Sequence, residues 1–487
     1  MPPPSNDNLV QNLIAHYLAS NYPSVLEPFL RASKVSLPDP ARPPQPDLRT
    51  LVDDWLSEQL AQQMAVATID ENKELVLNGS WQGWKIKDML RIKLKENVEF
   101  SVRSKIEGIS AANLLSVTAL HVPRREFDTS LAVYKASCPL SIVVTSVDKT
   151  LKIIDYSSRE ASIFKVDRII QPHRAAILSF AFHPVNPRFL LTGSMDGTTI
   201  LTDLVTNRSL QTFSSKKFVV RVSFSPNGLY MATASYDRDI VIYVATSSAM
   251  PPPLRGDDIP IDNMDIPAFA CEPGLRFTEA KRITVEWNPE AILFHPESKY
   301  LLYTTRSSHL LYYVCLPSES TALREEWSIK TKSFNPSPMD THISFTVLNM
   351  ALHPSGRIVA CQTGDHVGNS GERILLYGIE PEESERLACL WTGSEGDKYV
   401  LPRMAWLPDG SGLVITSPDG YLHLIALNGE NRANVRVHGV DDLRPSSSQV
   451  IRDCCVVTGN ESEGSCEIIS VGYDKCIRIS KIGIFED

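Results

Sequence analysis

The stretch AFHPVNPRFLLTGSMDGTTILTDL, residues 181–204, decides the fold of this chain because its pattern recurs. It returns as SFSPNGLYMATASYDRDIVIYV at 223–244 and as LFHPESKYLLYTTRSSHLLYYV at 293–314. Shorter or altered copies are ALHPSGRIVACQTGD at 351–365 and AWLPDGSGLVITSPDGYLHLIA at 405–426. Each copy has an apolar strand that ends at a proline, a short turn, a second apolar strand and a polar turn. Self-similarity at a nearly constant spacing indicates a repeat architecture.

A short polar side chain follows the second strand of each repeat. Two further segments, 140–156 and 466–482, keep this second half of the repeat but lack the proline. Short acidic side chains at such positions can accept backbone N–H groups in the turn to a third strand. The polar residues that mark the turns are Asp148, Asp196, Asp237, Ser308, Asp365, Asp419 and Asp474. They predict seven units, each a small antiparallel sheet made of β-branched runs.

The repeat, with Ser or Thr near the turn aspartate and alternating Ile or Leu after it, resembles the WD40 repeat over roughly residues 113–482. The resemblance implies a mainly β fold, a seven-bladed WD40-like β-propeller. The Trp-Asp dipeptide of the family is missing from every unit, and only His173 resembles the histidine that opens the family's blades. We therefore expect the family's buried His–Ser/Thr–Trp–Asp network to be incomplete.

Ring closure requires a partner for the open edge of the last sheet, because an unpaired edge promotes aggregation. The last unit offers about three strands, near 450–457, 466–473 and 476–482. The apolar segment 113–122 precedes the first unit. We therefore predict that 113–122 is the outer strand of the seventh blade, and that the propeller covers 113–487.

A long insertion follows the third unit. Residues 247–280 contain many prolines and several aspartates and show no sustained period, which predicts an extended loop. It is either a tolerated surface insertion or a partner-binding loop.

The N-terminal stretch LVQNLIAHYLASNYPSVLEPFL, residues 9–30, has two short apolar faces separated by Asn21-Tyr22-Pro23. It predicts two helices, each too short to be stable alone, so they need a partner. The segment resembles the LisH motif, a helical hairpin that dimerises by packing against a second hairpin. The dimer contacts that this resemblance implies are Leu13, Ile14, Tyr17, Leu18, Tyr22, Leu26 and Phe29.

Two readings of this hairpin stay open: self-association as a homodimer, or docking on the chain's own propeller. Asn21 stands where the family has glycine, and Pro28 lies inside the second helix, where it should remove a hydrogen bond and kink the chain.

The predicted domain order is a LisH-like hairpin at 1–33, a proline-rich linker at 34–46, a helical or mixed connecting region at 47–112, and then the propeller. Within the connecting region we predict a helix over 47–66 that Asp47 caps. A cluster of basic residues is either a solvated face or a contact for an acidic partner. It comprises Lys85, Lys87, Arg91, Lys93 and Lys95.

Composition argues against several classes of function. The formal net charge of −9 has the wrong sign for neutralising phosphates, so no direct nucleic-acid partner is expected. No window approaches a membrane span and the start lacks a signal-peptide pattern, which favours a cytoplasmic or nuclear location without membrane insertion. The nine cysteines form no C-x-x-C pair, so neither a metal nor another cofactor is predicted.

Catalytic motifs are not found in the sequence. His183, His295 and His353 recur before a proline and are interpreted as strand-end turn residues. The sequence therefore predicts a non-enzymatic scaffold that binds proteins of a multisubunit complex. The predicted binding residues lie on one propeller rim and are Lys149, Met195, Tyr236, Arg238, Tyr473 and Lys475.

Two alternatives remain at this point. The first is a substrate-recognition or scaffold subunit of a ubiquitin ligase. The second is a propeller enzyme with its active site at the central channel, which would require convergent carboxylates or histidines there.

Overall fold

The computed structural model describes residues 6–35, 81, 84–92, 94, 98–128, 133–157, 164–246, 275–317, 327–335, 340–343, 345–364, 371–395, 400–440, 449–458 and 465–484. The chain divides into two compact units, Met1–Val76 and Leu77–Asp487. The predicted helix at 47–66, most of the linker and Asp365 lie outside the described residues. Among the helices of the described part, none is long and apolar enough to cross a membrane.

The first unit contains a helical hairpin. Helix α1 spans Asn6–Asn21 and helix α2 spans Pro23–Ser33, so the two predicted helices are present and Tyr22 alone separates them. The second helix continues through Pro28. It ends at Lys34, whose backbone is left-handed and whose N–H bonds to the carbonyl of Leu30.

The second unit contains seven sheets of four antiparallel strands each, which confirms the predicted seven-bladed propeller. The inner strands, in blade order, are Leu114–His121, Ile177–Phe182, Val219–Phe224, Pro289–Phe294, Thr346–Leu352, Met404–Trp406 and Ile451–Thr458. The second strands are Leu140–Ser146, Phe189–Ser194, Tyr230–Ser235, Tyr300–Thr305, Ile358–Gly364, Gly412–Thr416 and Cys466–Gly472. The third strands are Leu151–Asp155, Thr198–Asp203, Asp239–Ala245, Leu310–Cys315, Gly371–Gly378, Tyr421–Ala426 and Ile477–Ile484. The outer strands are Val166–Ile170, Arg208–Ser214, Phe277–Thr284, Ile329–Ser333, Arg386–Glu395, Asn431–Arg436 and Val98–Ile106.

The seventh blade closes the ring with a strand that the sequence analysis did not identify. Val98–Ile106 pairs antiparallel with Ile477–Ile484 and is the outer strand of that blade. The prediction that 113–122 fills this place is wrong, because Leu114–His121 pairs with Leu140–Ser146 as the inner strand of the first blade. The propeller therefore includes residues before position 113.

A local insertion explains this error. The hairpin Arg124–Asp128 and Val133–Ser137 stands between the first two strands of blade 1, so the inner strand is far in sequence from its partner. The closing strand, VEFSVRSKI, keeps five of its nine residues exposed and alternates apolar with polar groups. It therefore lacks the buried run that marks the second and third strands of the repeats.

The segment before the closing strand packs on the propeller. Helix α3 spans only Ile86–Met89. Met89 is fully buried in the apolar cluster between blades 5 and 6, and Leu94 is buried in the cluster between blades 6 and 7. Of the predicted basic cluster, Lys85, Lys87 and Arg91 are exposed, whereas Lys93 and Lys95 lie outside the described residues.

The predicted insertion at 247–280 is too long at its C-terminal end. Residues 247–274 lie outside the described part, but Phe277–Thr284 is the outer strand of blade 3 and pairs with Asp239–Ala245. This strand buries Phe277 and Ile283 and exposes much of the rest, so its sequence lacks a continuous apolar run.

The turns between second and third strands form as the repeat pattern predicts. The carboxylate of Asp196 accepts the N–H of Thr198 at 2.9 Å, and the carboxylate of Asp148 accepts the N–H of Thr150 at 3.0 Å. In blade 4 the hydroxyl of Ser308 accepts the N–H of Leu310 at 3.2 Å. These bonds let short side chains substitute for ladder bonds that a tight turn interrupts.

Three buried histidines connect neighbouring blades. His183 and His353 end the inner strands of blades 2 and 5, and each Nε2 lies 3.2 Å from a glycine carbonyl of the following blade, at Gly228 and Gly410. Each Nδ1 accepts a backbone N–H of its own turn. This assigns the proton to Nε2. Burial lowers the pKa of His353 to about 4, so the ring is neutral at pH 7.

The third of these histidines, His295, lies at the equivalent position in blade 4. Its Nε2 lies 3.3 Å from Glu380 of the next blade, and its Nδ1 accepts the N–H of Glu297. The interpretation of all three as strand-end residues is confirmed.

Two histidines, rather than one, form the family-like polar network. His173 Nε2 lies 2.8 Å from Thr192 Oγ1, and His173 Nδ1 lies 2.9 Å from Thr198 Oγ1 beside Asp196. In blade 7 His438 lies 2.9 Å from both Ser470 Oγ and Asp474 Oδ1. The expectation that only His173 plays this part is therefore wrong. Like His173, His438 follows the outer strand of the preceding blade, but it escaped notice because the seventh repeat lacks the proline that marks the first strand.

We predict that Gly228→Ala destabilises the propeller more than Gly108→Ala. Both glycines have positive φ, at +72° and +73°, so an alanine costs about 1–2 kcal/mol of backbone strain at either site. A Cβ at Gly228 would also overlap the His183 ring, whereas nothing lies within 4 Å at Gly108. Overpacking should add about 1–3 kcal/mol at Gly228. Equal melting temperatures of the two variants would show that the His183 contact does not constrain the blades.

Candidate functional site

In the part of the chain that the structure describes, the turns between second and third strands lie on one face of the propeller. In five blades the residue after the second strand donates a backbone hydrogen bond to the residue that precedes the inner strand, as from Val147 to Asn113 at 3.0 Å and from Tyr236 to Phe218 at 2.9 Å. We call this surface the turn rim. It comprises the turns 146–150, 194–198, 235–239, 305–309, 417–421 and 472–476 with the inner-strand entries 113, 176, 216–218, 287–288 and 450.

The structure places all six predicted binding residues on the turn rim, in the consecutive blades 7, 1, 2 and 3. Four of them are exposed and two, Tyr236 and Tyr473, are half-buried. The exposed ones are Lys149, Met195, Arg238 and Lys475. Residues that are distant in sequence thus share one surface, and their role in binding stays a prediction.

Three of these residues have strained backbones. Lys149, Arg238 and Lys475 have φ values of 73°, 72° and 64°, directly after the turn aspartate. The same turn position is Gly197 in blade 2 and Gly420 in blade 6. Glycine adopts this left-handed conformation without the penalty that a Cβ imposes. Long basic side chains therefore occupy positions that glycine would fill at lower energy.

An apolar strip on the turn rim was missed by sequence reasoning. Phe218 and Trp287, each 44% exposed, stand at the entries of the inner strands of blades 3 and 4. Val147 and Met195, at 47% and 40%, continue the strip on blades 1 and 2. In the sequence each aromatic residue adjoins an apolar strand and is easily assigned to it. Only the backbone direction at the strand entry turns it toward solvent.

Positive charge borders this strip at Phe218. Lys216 and Lys217 are exposed next to Phe218, with Arg238 in the adjacent turn. The nearby carboxylate of Asp237 already accepts hydrogen bonds. Burial alone would raise its pKa, but hydrogen bonds from Ser235 and from the backbone of Lys216 lower the pKa. The exposed surface thus offers apolar area flanked by cations, although the chain as a whole is acidic.

At one height along the central channel, each of the seven blades contributes one residue. In blades 1 to 5 and in blade 7, the inner strand carries a β-bulge near its start. In blade 6 the inner strand begins at the equivalent point. Bulges re-aim the side chain that follows them. The residues at this level are Ser116, Ser179, Arg221, Ala291, Asn349, Arg403 and Asp453. All seven line a cavity of about 390 Å³. We call them the channel ring.

The side chain of Arg221 lies along the channel wall, against the next two blades. Its Nε donates to the carbonyl of Glu290 at 3.0 Å, in the next blade, and its Nη2 lies 3.5 Å from the carbonyl of Leu348, two blades on. This reach brings the guanidinium of blade 3 towards Arg403 of blade 6. Accordingly, burial and then the charge of Arg221 lower the pKa of Arg403. Arginine stays protonated at neutral pH despite such shifts.

The acidic groups near the ring already have partners. Asp453 accepts the N–H groups of Val117 and Cys454, each at 3.0 Å. Glu290 is nearly buried and pairs with Arg306 at 2.8 Å. Burial raises the pKa of both carboxyl groups. The guanidinium of Arg403 has no acceptor among the described residues.

The lining of this cavity contains one carboxylate and no histidine among the described residues. General acid–base catalysis uses a positioned proton donor or acceptor with a pKa near the working pH. A lone carboxylate that accepts two backbone N–H groups beside arginines does not provide a pair of this kind. The arrangement is suited to holding negative charge.

Comparison with known proteins agrees with this architecture. Residues 164–203 and 207–243 match the family model described as WD domain, G-beta repeat. The chain contains WD40 repeats. Each matched range begins with the outer strand of one blade and continues with three strands of the next, so the WD40 repeat is offset from the blade by one strand. This offset is why the ring needs an outer strand from the N-terminal side.

A curated protein is similar to part of the chain. The chain is 30% identical over 164 residues to a protein of Schizosaccharomyces pombe described as U3 small nucleolar RNA-associated protein 21 homolog. The match covers 33% of this chain and 17% of that relative.

We predict that Arg403→Gln does not destabilise the propeller, whereas Arg188→Gln does. Arg188 and Asp203 form a buried two-bond pair at 2.8 Å, and breaking such a pair costs about 3–5 kcal/mol. The charges of Arg221 and Arg452 repel that of Arg403 and those of Asp453 and Glu290 attract it, so these effects largely offset one another when the charge is removed. Urea unfolding of both variants measures the difference. A loss of stability for Arg403→Gln as large as that for Arg188→Gln would contradict it.

Proposed function

We propose that this protein is a non-enzymatic scaffold subunit that binds a partner protein through the turn rim. The observation that carries the proposal is the row of exposed apolar side chains on consecutive blades, from Val147 to Trp287. Contiguous exposed apolar area bordered by polar groups is typical of protein-binding surfaces. Aromatic residues and arginine are the side chains that most often anchor such contacts.

The chemistry of the rim indicates an acidic partner segment with apolar anchors. The aromatic rings of Phe218 and Trp287 would receive the apolar side chains, and the cations at Lys216, Lys217 and Arg238 would face carboxylates. Charge complementarity of this kind steers association and selects among partners.

Backbone strain supports the same surface. A non-glycine residue in the left-handed region costs of order 1 kcal/mol, and such outliers cluster at functional sites. Lys149, Arg238 and Lys475 keep this strain where two other blades have glycine. Partner binding gives a reason for retaining a long basic side chain there.

The relative's description also suits a subunit of a larger assembly. That protein's name associates it with a small nucleolar RNA, so we place the proposed complex in the nucleus.

The rim is tested by affinity purification of the tagged full-length chain from its native source, with quantitative mass spectrometry. We expect the Phe218→Ser, Trp287→Ser double variant to lose at least one partner that the unaltered chain retains, because the apolar anchors are gone. Trp391→Ser is the matched control, since Trp391 is 60% exposed but lies on an outer strand of blade 5. If the double variant and the unaltered chain retain the same partners, the turn rim is not the partner-binding surface.

We further propose that the N-terminal hairpin self-associates in the LisH manner, through Leu13, Ile14, Tyr17, Leu18, Tyr22, Leu26 and Phe29. The second helix supports this, because none of its residues is buried. Tyr22 is 55% and Val25 is 49% exposed, which leaves apolar area for a second hairpin to cover. Dimerisation would present two rims to a multivalent partner and raise the effective concentration of the second contact.

Light scattering of the full-length chain tests the hairpin. We expect a mass of two chains, which falls to one chain in the Tyr22→Asp, Val25→Asp variant because charges would enter the covered face. Glu27→Ala is the control, since Glu27 is exposed and pairs with Arg31 across one helical turn. A one-chain mass for the unaltered protein would favour the other reading, docking on the chain's own propeller.

A further inference from the structure

The channel ring concentrates positive charge where the fold does not require it. Arg221 and Arg403 line the cavity, and Arg452, next to Asp453, is close enough to lower the pKa of Arg403 by its charge. Asp453 is the single carboxylate of the lining. The neighbouring Glu290 forms an ion pair with Arg306 at 2.8 Å. Arg221 and Arg403 thus line the cavity together with one carboxylate.

The guanidinium of Arg221 is held in place by backbone carbonyls. The carbonyls of Glu290 and Leu348 fix the plane of Arg221, so binding would cost little side-chain entropy. Arg403 offers its donors to the cavity without an acceptor among the described residues. Arginine forks bind planar or tetrahedral oxyanions through paired N–H bonds, which are among the strongest hydrogen bonds in proteins.

Neutral donors of the same ring complete the site. Ser116, Ser179 and Asn349 stand at the corresponding positions of blades 1, 2 and 5. The cavity of about 390 Å³ lies within the usual range for small-ligand sites. A cavity of this size suits a compact ligand better than a folded segment of a partner.

We propose that the channel ring binds a small polyanion that carries two or more phosphate or carboxylate groups. The ligand's charges would lie between Arg221 and Arg403, and its remaining oxygens would accept from the serine and asparagine side chains. Binding would bridge blades 1, 2, 3, 5 and 6 and neutralise the repulsion between the arginines. This site is separate from the apolar strip of the turn rim and does not depend on it.

Isothermal titration calorimetry on the full-length chain at constant ionic strength tests the site, with tripolyphosphate, citrate and a hexaglutamate peptide as separate probes. We expect saturable binding of one tripolyphosphate or one citrate per chain. The preferred probe identifies phosphate or carboxylate as the ligand group. Arg403→Gln and Arg221→Gln should each weaken binding about tenfold or more, the loss of one charge-assisted contact.

Arg238→Gln is the matched control, because Arg238 is an exposed arginine of the turn rim outside the cavity lining. It should change the dissociation constant less than about twofold. Circular dichroism of each variant checks that the propeller is intact. The Phe218→Ser, Trp287→Ser variant should bind the anion normally, which separates this site from the partner surface.

Three results would overturn the proposal: no saturable binding of either small anion, equal binding by Arg403→Gln and the unaltered chain, or Arg403-dependent binding of hexaglutamate alone. The last result would make the channel part of a protein-binding surface.

Discussion

The structure depends on one strand pairing, between Val98–Ile106 and Ile477–Ile484. Without it the seventh blade would keep an open edge, and side-chain packing and hydrogen bonds alone would join blades 7 and 1. Arg103 of the closing strand bonds to Glu467 of the second strand, and the buried Tyr156 of blade 1 donates to the same carboxylate at 3.0 Å. One buried carboxylate therefore connects the closing strand, blade 7 and blade 1.

The other joints between blades combine apolar packing with a few directed bonds. At the closure, Ile106 and Ile109 join a cluster with Leu114, Ile142 and other aliphatic residues of blades 7 and 1. Elsewhere, histidines such as His183 and His353 bond to the next blade. Because burial keeps these rings neutral, they provide a fixed donor without the cost of a buried charge. Apolar packing and such bonds together compensate for the missing tryptophans of the repeat.

This rigid ring explains how the chain can carry two separate kinds of surface. The bulges near the start of the inner strands aim one residue per blade into the channel, where Arg221 and Arg403 meet. The turns and strand entries of the same blades aim Phe218 and Trp287 outward on the turn rim. The first surface is concave and charged, whereas the second is exposed and partly apolar. Each suits a different class of ligand.

The sequence by itself determined the number of blades, their strand pattern and the turn aspartates, because these features are local and recur at a constant spacing. It also predicted that Lys149, Met195 and Arg238 would lie on one rim, since equivalent repeat positions must share a face. Only the tertiary structure decided which strand closes the ring, since that pairing joins residues almost 400 positions apart and its strand is half exposed. The channel ring was equally hidden, because Arg221, Arg403 and Asp453 belong to different blades and only the closed ring brings them together.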